Sequence, residues 1–444
     1  MTSRFFLAIS RFIIVALVAA YSASASASAS QAVVLKAASY IDTQRGILVQ
    51  PAVVVVNRGL IIAINPRTLP EGSTVLDLGD ATLLPGLIDV HTHLMISTND
   101  TDELVRQAGS YSETDFVLAA MGNGYKTLMA GFTTVRDLDS WYFVDVTLSK
   151  ISEREEFSLP RIVPAGHGIN LSSPADYSHI FPPVESLPNV GIADNEDEII
   201  AAIDHQAAMG AGVIKLYSTA GFTMSAHSDK PVGPQTYSDE EVEAAVIQAK
   251  IHGLKVASHA HGSEGIMAAV KGGVASVEHG SLLTDEIIAQ MKQRGTYLVP
   301  TTPIMNKASL QDPHLPPKGI AVIRQGIQSH KRAIKAGVKI AYGTDAGLYP
   351  HGKNADGFMD LVEYGMSPAQ AIQTATSEAA SLLGVDDRGS LTVGKLADLI
   401  AVVGNPLEDV SLLQNVSFVM KNGRIYKLDD KFRLYDKQVE KQGK

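Results

Sequence analysis

The stretch Leu87-Ile88-Asp89-Val90-His91-Thr92-His93 decides the fold, because it is an apolar, strand-like run that ends in two histidines. Residues two apart share a face in an extended chain, so His91 and His93 can grip one metal ion together. Alone the pair carries little, since two hydrogen-bonded surface or core histidines account for it equally well. The rest of the chain repeats the arrangement. Lys215 closes Val213-Ile214-Lys215, His259 closes Val256-Ala257-Ser258-His259, His279 closes Val277-Glu278-His279, and Asp345 follows Tyr342-Gly343-Thr344. Polar groups at the ends of apolar strands point into the mouth of a barrel, where active sites of such folds lie. Imidazole, carboxylate and amine side chains at so many strand ends are hard to explain as core residues, and metal binding is the reading they favour.

Outward from these positions the middle of the chain alternates short apolar runs with helical segments, the mark of parallel strands joined by crossover helices. The runs at 83–90, 133–136, 161–165, 213–216, 255–258, 275–277, 296–300 and 338–342 predict the strands of an α/β fold, a (β/α)8 TIM-type barrel. Ser238 with Glu241 forms a capping box for a helix that ends at Gly253, and Ser367-Pro368 opens a helix that stops at Gly384. Residues 171–189 and 223–236 read as long loops at the catalytic rim. Strand-like runs recur at both ends of the chain, with turns at Asn57-Arg58-Gly59 and Asn422-Gly423. The expected organisation is a signal peptide at 1–30, a small β-sandwich domain built from both termini (31–84 and 388–430), the barrel at 85–387, and a C-terminal tail at 431–444.

Composition narrows the function. Of 444 residues, 45% are hydrophobic, which suits one large domain with a smaller one. The net charge of -10 argues against nucleic acid as a partner. Arg4 and Arg11, an apolar run at 12–20 and a Ser/Ala repeat with cleavage sites after Ala25, Ala27 or Ala29 read as an export signal, so the protein is expected to be secreted or periplasmic. The apolar run is short for a membrane span, so no stable anchor is expected after cleavage. Cysteine is absent, which excludes disulfides, thiolate ligands and a thiol nucleophile. Any metal must be held by nitrogen and oxygen.

These motifs, together with Gly131-Phe132-Thr133-Thr134-Val135-Arg136-Asp137, His259-Ala260-His261-Gly262, Gly343-Thr344-Asp345-Ala346-Gly347 and Gly394-Lys395-Leu396-Ala397-Asp398-Leu399, make the chain resemble the amidohydrolase superfamily. The resemblance runs from about Val33 to Lys427 and is closest to the imidazolonepropionase-like and prolidase-like metallo-dipeptidase branch, which includes Xaa-Pro and Xaa-Arg carboxypeptidases and ochratoxinase-like enzymes. It implies two Zn(2+) ions, one on His91, His93 and Asp345, the other on His259 and His279, with Lys215 bridging them as N6-carboxylysine. A ring-like homo-oligomer is also implied. A buried lysine amine is pushed toward its neutral form, which can capture carbon dioxide, and two cations stabilise the resulting anion. The alternative for Lys215 is an ordinary salt-bridged lysine, but its place at a strand end among four histidines favours the bridging role. Where that branch carries Gly-Gly after the Arg136 motif, this chain carries Leu138-Asp139-Ser140-Trp141, so the strand-two wall of the pocket is not given by the resemblance.

The expected activity is hydrolysis of the amide bond of a dipeptide or N-acyl amino acid, releasing a C-terminal L-amino acid. The alternative is a hydrolase of a cyclic amide or heterocycle, as in imidazolonepropionase. A metal-free binding protein on the same barrel would have no need of the full ligand set. Asp345 is expected to orient water and carry its proton, and His167 to hydrogen-bond the carbonyl oxygen. Tyr217 and His261 are expected to hold a substrate carboxylate, with Arg136 either an alternative anchor or an arginine that holds loops together. Asp139, Asp176, Asp229 or Asp356 would select a cationic leaving residue, whereas Trp141, Tyr177 and Phe181 would form an apolar slot.

Overall fold

The computed structural model describes residues 31–97, 101–154, 156–172, 191–220, 232–311, 317–429 and 433–436. The expected signal peptide, most of both rim loops, and Asp176, Tyr177, Phe181 and Asp229 lie outside the described residues.

The strands of the middle region form two parallel sheets. Arg161–Pro164, Phe132–Asp137 and Leu87–Thr92 make one. Gly191–Ile192, Ile169–Asn170, Ile214–Tyr217, Val256–Ala260, Ser276–His279 and Tyr297–Val299 make the other, in that order. The expected strand at 338–342 forms no ladder. It lies between the sheets, held by Ala341 N–H to Leu298 O (3.1 Å) and Val90 N–H to Tyr342 O (2.8 Å). On the other side Gly212 N–H donates to Pro164 O at 2.7 Å. Hydrogen bonds thus tie the two arcs together at both junctions, without one continuous ladder.

The expected first strand at 83–90 is in fact two. It divides at Gly86, where a β-carbon would run into the Thr133 side chain. Ala81–Pro85 pairs antiparallel with Leu399–Val403, while Leu87–Thr92 joins the parallel sheet. The helix expected from Ser367 to Gly384 is likewise two pieces, Pro368–Thr374 and Ser377–Leu383. The break leaves the carbonyls of Thr374 and Ala375 to accept N–H groups of Tyr342 (3.0 Å) and Ile88 (2.8 Å), so it secures two strands that carry site residues. The capping box on Asp239–Ile251 forms as read, with Ser238 accepting from Glu241 N–H and Glu241 accepting from Ser238 N–H.

Strands from both ends of the chain form two further sheets. One is ordered Arg433–Asp436, Thr74–Asp77, Val33–Ala37, Ala52–Asn57, Leu60–Ile64; the other Arg424–Leu428, Phe418–Lys421, Leu399–Val403, Ala81–Pro85, Ser39–Asp42, Ile47–Val49. Leu35, Val54, Leu76, Leu83, Leu399 and Phe418 share one buried cluster between them. Part of the expected tail is therefore a strand, because the edge at Thr74–Asp77 offers unpaired backbone groups to it. Both expected turns form: Arg58 and Gly59 (φ 49° and 78°) and Asn422 and Gly423 (φ 52° and 76°) take the left-handed conformation that two-residue hairpins need. Among the described residues no helix is long and apolar enough to cross a membrane.

Candidate active site

Strand register gathers the chemistry. Tyr217 pairs with His259, His259 with Glu278, and Ala260 with His279, so the carboxyl ends of three neighbouring strands stand side by side. The rings of His259, His261 and His279 lie 4.6 to 4.7 Å apart, and His91 lies 5.1 Å from His279 and 5.4 Å from His93. Asp345 faces His93 Nε2 at 3.1 Å, His91 Nε2 at 3.5 Å and His279 Nδ1 at 3.9 Å. The backbone is bent to achieve this. His279 (φ 68°) and Asp345 (φ 60°) both adopt the left-handed region, which costs a side-chain-bearing residue on the order of 1–3 kcal/mol, and both are buried.

Two polar atoms in this cluster are buried without a well-aligned hydrogen bond: His91 Nε2, and Asp345 Oδ1, whose near neighbour is His93 Nε2 at 3.1 Å. They face each other. Two desolvated lone-pair donors in that position are unfavourable on their own and satisfied by a cation, so the residues fit a metal. His91, His279 and Asp345 can each offer one ligand atom within a common small space, and so can His259, His261 and His279. Sequence reasoning placed His261 among substrate contacts; it stands with the second group of donors.

The electrostatics suit cation binding. Burial, with Lys215 nearby, pushes the His91 imidazole down to about 4, and burial drives His259 and His279 well below the usual histidine range. These rings are neutral near pH 7, as ligands must be. Burial also opposes ionisation of Asp345, but His91, His93 and Lys215 outweigh it and hold the carboxyl well below the usual range. Burial lowers the Lys215 amine, and among the described residues no carboxylate stands within ion-pair distance of it. Its Nζ lies 5.0 Å from the centre of the Tyr217 ring.

Beneath the ligands lie Glu278 and Asp89, to which sequence reasoning gave no role, together with Arg136. Glu278 Oε2 accepts from His91 Nδ1–H at 2.9 Å, which leaves the lone pair on Nε2. Burial pushes the Glu278 carboxyl up, but Arg136 and His91 hold it down at about 2. Arg136 is 1% exposed and gives its guanidinium hydrogens to Val90 O (2.5 Å), Ser276 Oγ (3.1 Å) and Glu278 Oε1 (2.8 Å). The expected substrate anchor is thus corrected to a buried counter-ion, since every side of its fork is engaged below the histidines. Asp89 plays a similar part, accepting from Thr344 N–H and Oγ1–H, His91 N–H and Asn354 Nδ2–H, and so ties the Asp345 turn to the His91 strand. An acidic residue one or two places before a ligand, inside an apolar run, was the available signal for both Asp89 and Glu278.

Beside the ligands stand Tyr217 and Asp139, with His167 after the third parallel strand. Burial pushes His167 down to about 4; its Nε2 is buried without a hydrogen-bond partner, and its ring lies 4.1 Å from that of Phe143. The Tyr217 hydroxyl donates to Asp139 Oδ2 at 2.8 Å, and Gly168 N–H donates to Asp139 Oδ1 at 2.9 Å. Trp141 packs edge-on against Phe116 in an apolar cluster, and Asp356 accepts from Tyr349 and Gln414, so neither is spent on the mouth.

His93 differs from the other rings: burial lowers it, but its hydrogen bond and attraction to Asp345 outweigh that and raise it above the usual histidine range, a shift that a cation on Asp345 would oppose. Imidazoles around an ionised carboxylate, gathered at the carboxyl ends of parallel strands, are what a metal-assisted hydrolase requires. The chain belongs to the amidohydrolase family, whose model matches residues 82–426, and it is a hydrolase of that metal-using class. It is 30% identical over 379 residues to an ochratoxinase of Aspergillus niger, covering 78% of this chain and 75% of the relative. Imidazolonepropionase of Pseudomonas putida is 27% identical over 395 residues, covering 80% and 88%. Among solved structures, a Xaa-Pro dipeptidase with methionine bound in its active site superposes with a TM-score of 0.81 at 35% identity, covering 89% of this chain and 100% of that one.

Proposed function

We propose that the protein is a binuclear zinc hydrolase that cuts the amide bond of a dipeptide or N-acyl amino acid and releases a C-terminal L-amino acid. The observation that carries this reading is the buried pair His91 Nε2 and Asp345 Oδ1, 3.5 Å apart and without a well-aligned hydrogen bond, beside the neutral rings of His91, His259 and His279. The kinship with a Xaa-Pro dipeptidase and an ochratoxinase supports the substrate class. His91, His93 and Asp345 would hold one ion and His259 and His279 the other, with Lys215 joining them as N6-carboxylysine; the lowered amine of Lys215, with no carboxylate paired to it, favours that modification. Bound metal supplies a polarised scissile carbonyl and an acidified water.

The protein's own groups do the rest. Asp345, held ionised, takes the proton of the attacking water and hands it to the departing amine nitrogen. His167, neutral near pH 7, turns its Nε2 edge toward the carbonyl oxygen and donates a hydrogen bond as charge develops there. We assign the substrate carboxylate to His261, which stands close enough to His259 and His279 to reach the same space, and leave the second ion to those two residues. The strand-rich ends (31–84 and 388–430) would form a β-sandwich that closes the floor of a barrel at 85–387. On the same footing, residues 1–30 would direct export and be removed, which N-terminal sequencing of the exported protein tests.

The deciding experiment is a screen of the purified protein against an Xaa-Xaa dipeptide library that includes N-acyl amino acids and cyclic amides. Release of C-terminal amino acids, abolished by a chelator and restored by zinc, is the expected result. Turnover confined to cyclic amides would instead favour the imidazolonepropionase-like alternative.

A further inference from the structure

Thr301 carries a buried hydroxyl beside the metal-ligand cluster. It stands two residues past the strand Tyr297–Val299, whose register sets Val299 against Glu278 and so brings Thr301 alongside His279. It takes φ 44° and ψ 50°, a left-handed conformation in which a β-branched residue is an outlier. Glycine or asparagine would suit such a turn better, and the turn itself, closed by Ile304 N–H on Thr301 O at 3.2 Å, needs no side chain. The strain secures one contact. Thr301 Oγ1 lies 2.9 Å from His279 Nδ1, with both residues buried. Asp345 Oδ2 is also near that nitrogen, but at 3.9 Å it is too far for a hydrogen bond. The carbonyl oxygen of His279 accepts from His330 Nε2–H at 2.7 Å, so its backbone is held separately from its ring.

We propose that Thr301 is a positioning residue for the second ion: its hydroxyl accepts the Nδ1–H of His279 and so keeps the lone pair on Nε2, where a cation can use it. A neutral imidazole carries its proton on one nitrogen or the other, and the hydrogen bond made at one decides the state of the other. Glu278 does this for His91 with a carboxylate, whereas Thr301 does it for His279 with an uncharged group. A ring without that partner would be free to turn, or to carry its proton on Nε2 and lose the ligand lone pair. The inference rests on the reading of His259 and His279 as ligands of the second ion.

Two variants test it, Thr301→Val and Thr301→Ser, with zinc affinity measured by competition with a chelator and the site that empties identified by anomalous diffraction at the zinc edge. Valine keeps the branched shape and its backbone demands and removes only the hydroxyl, whereas serine keeps the hydroxyl. In Thr301→Val the ion on His259 and His279 is expected to bind about 10- to 100-fold more weakly, the usual cost of losing a partner that orients a ligand, with the ion on His91, His93 and Asp345 largely retained. Thr301→Ser should hold both ions nearly as wild type does. A valine variant that keeps both ions at wild-type affinity, or weakens both alike, overturns the proposal, and so does a serine variant as weak as the valine one. A wild-type protein with no ion on His279 would overturn the two-ion reading beneath it and the proposal with it, a failure that the wild-type crystal alone reveals.

Discussion

The two walls of the mouth are built in opposite ways. Around His91, the supporting contacts are buried and closed on one another: Arg136 on Glu278, Glu278 on His91, Asp89 on Thr344. Just beyond the end of the neighbouring strand, Asp139 is joined to Tyr217 and Gly168 by single hydrogen bonds, and it stays partly exposed. Desolvated, fully paired networks fix geometry and are costly to break, whereas a half-open wall can change its side chains at little cost to the fold. On the proposed reading the first wall would govern metal and catalysis, and the second which substrate is accepted.

That contrast can be broken experimentally, beginning with the ligands themselves. His91→Ala and His279→Ala should abolish turnover and release metal, while circular dichroism shows a folded chain. Next, Asp345→Asn keeps an oxygen for the metal but cannot carry a proton, so kcat should fall by about 10²- to 10⁴-fold with metal largely retained. Near-normal turnover with metal in place would make Asp345 a ligand only and move the proton to another group.

A smaller effect separates the walls most cleanly. Glu278→Gln should weaken metal affinity about 10- to 100-fold, measured by competition with a chelator, because the carboxylate no longer orients His91. Asp139→Asn should change substrate preference instead. Were it to weaken the metal as much as Glu278→Gln does, the two walls would not be distinct.

The smallest effect is one of pH. Burial pushes His330 and His351 down to about 4, and both bond backbone carbonyls behind the ligands, His330 to His279 O and His351 to His93 O. The unfolded chain takes up protons on such residues near 6.5, but the folded one resists until about 4, so stability is lost as pH falls through that window and is flat above it. His330→Gln should lessen the slope of the denaturation midpoint between pH 6.5 and 4, and an unchanged slope would show that His330 is not held neutral.

Much of this was legible in the sequence, and the divide has a physical reason. Alternation of apolar runs with capped helices, and histidines, Lys215 and Asp345 at run ends, are local signals, and the structure brings those residues into one cluster. The counter-ion place of Arg136 was not legible, because it depends on Glu278 far along the chain, and nothing local told Asp139 apart from the other acidic candidates, because its contacts with Tyr217 and Gly168 are also distant in sequence. The splitting of 83–90 at Gly86 and of the helix near Ala375 was hidden for the same reason: each break serves a contact with another element. Boundaries within the apolar runs yield to tertiary hydrogen bonding, whereas chemistry at their ends does not.

The central claim is that the buried pair His91 Nε2 and Asp345 Oδ1 belongs to a two-metal site bridged by Lys215. Anomalous diffraction at the zinc edge from crystals of the purified protein tests it directly. The account predicts two peaks, one against His91, His93 and Asp345 and one against His259 and His279, with extra density on Lys215 Nζ. A single peak held by His259, His261 and His279, with unmodified Lys215 and no ion beside Asp345, would contradict it.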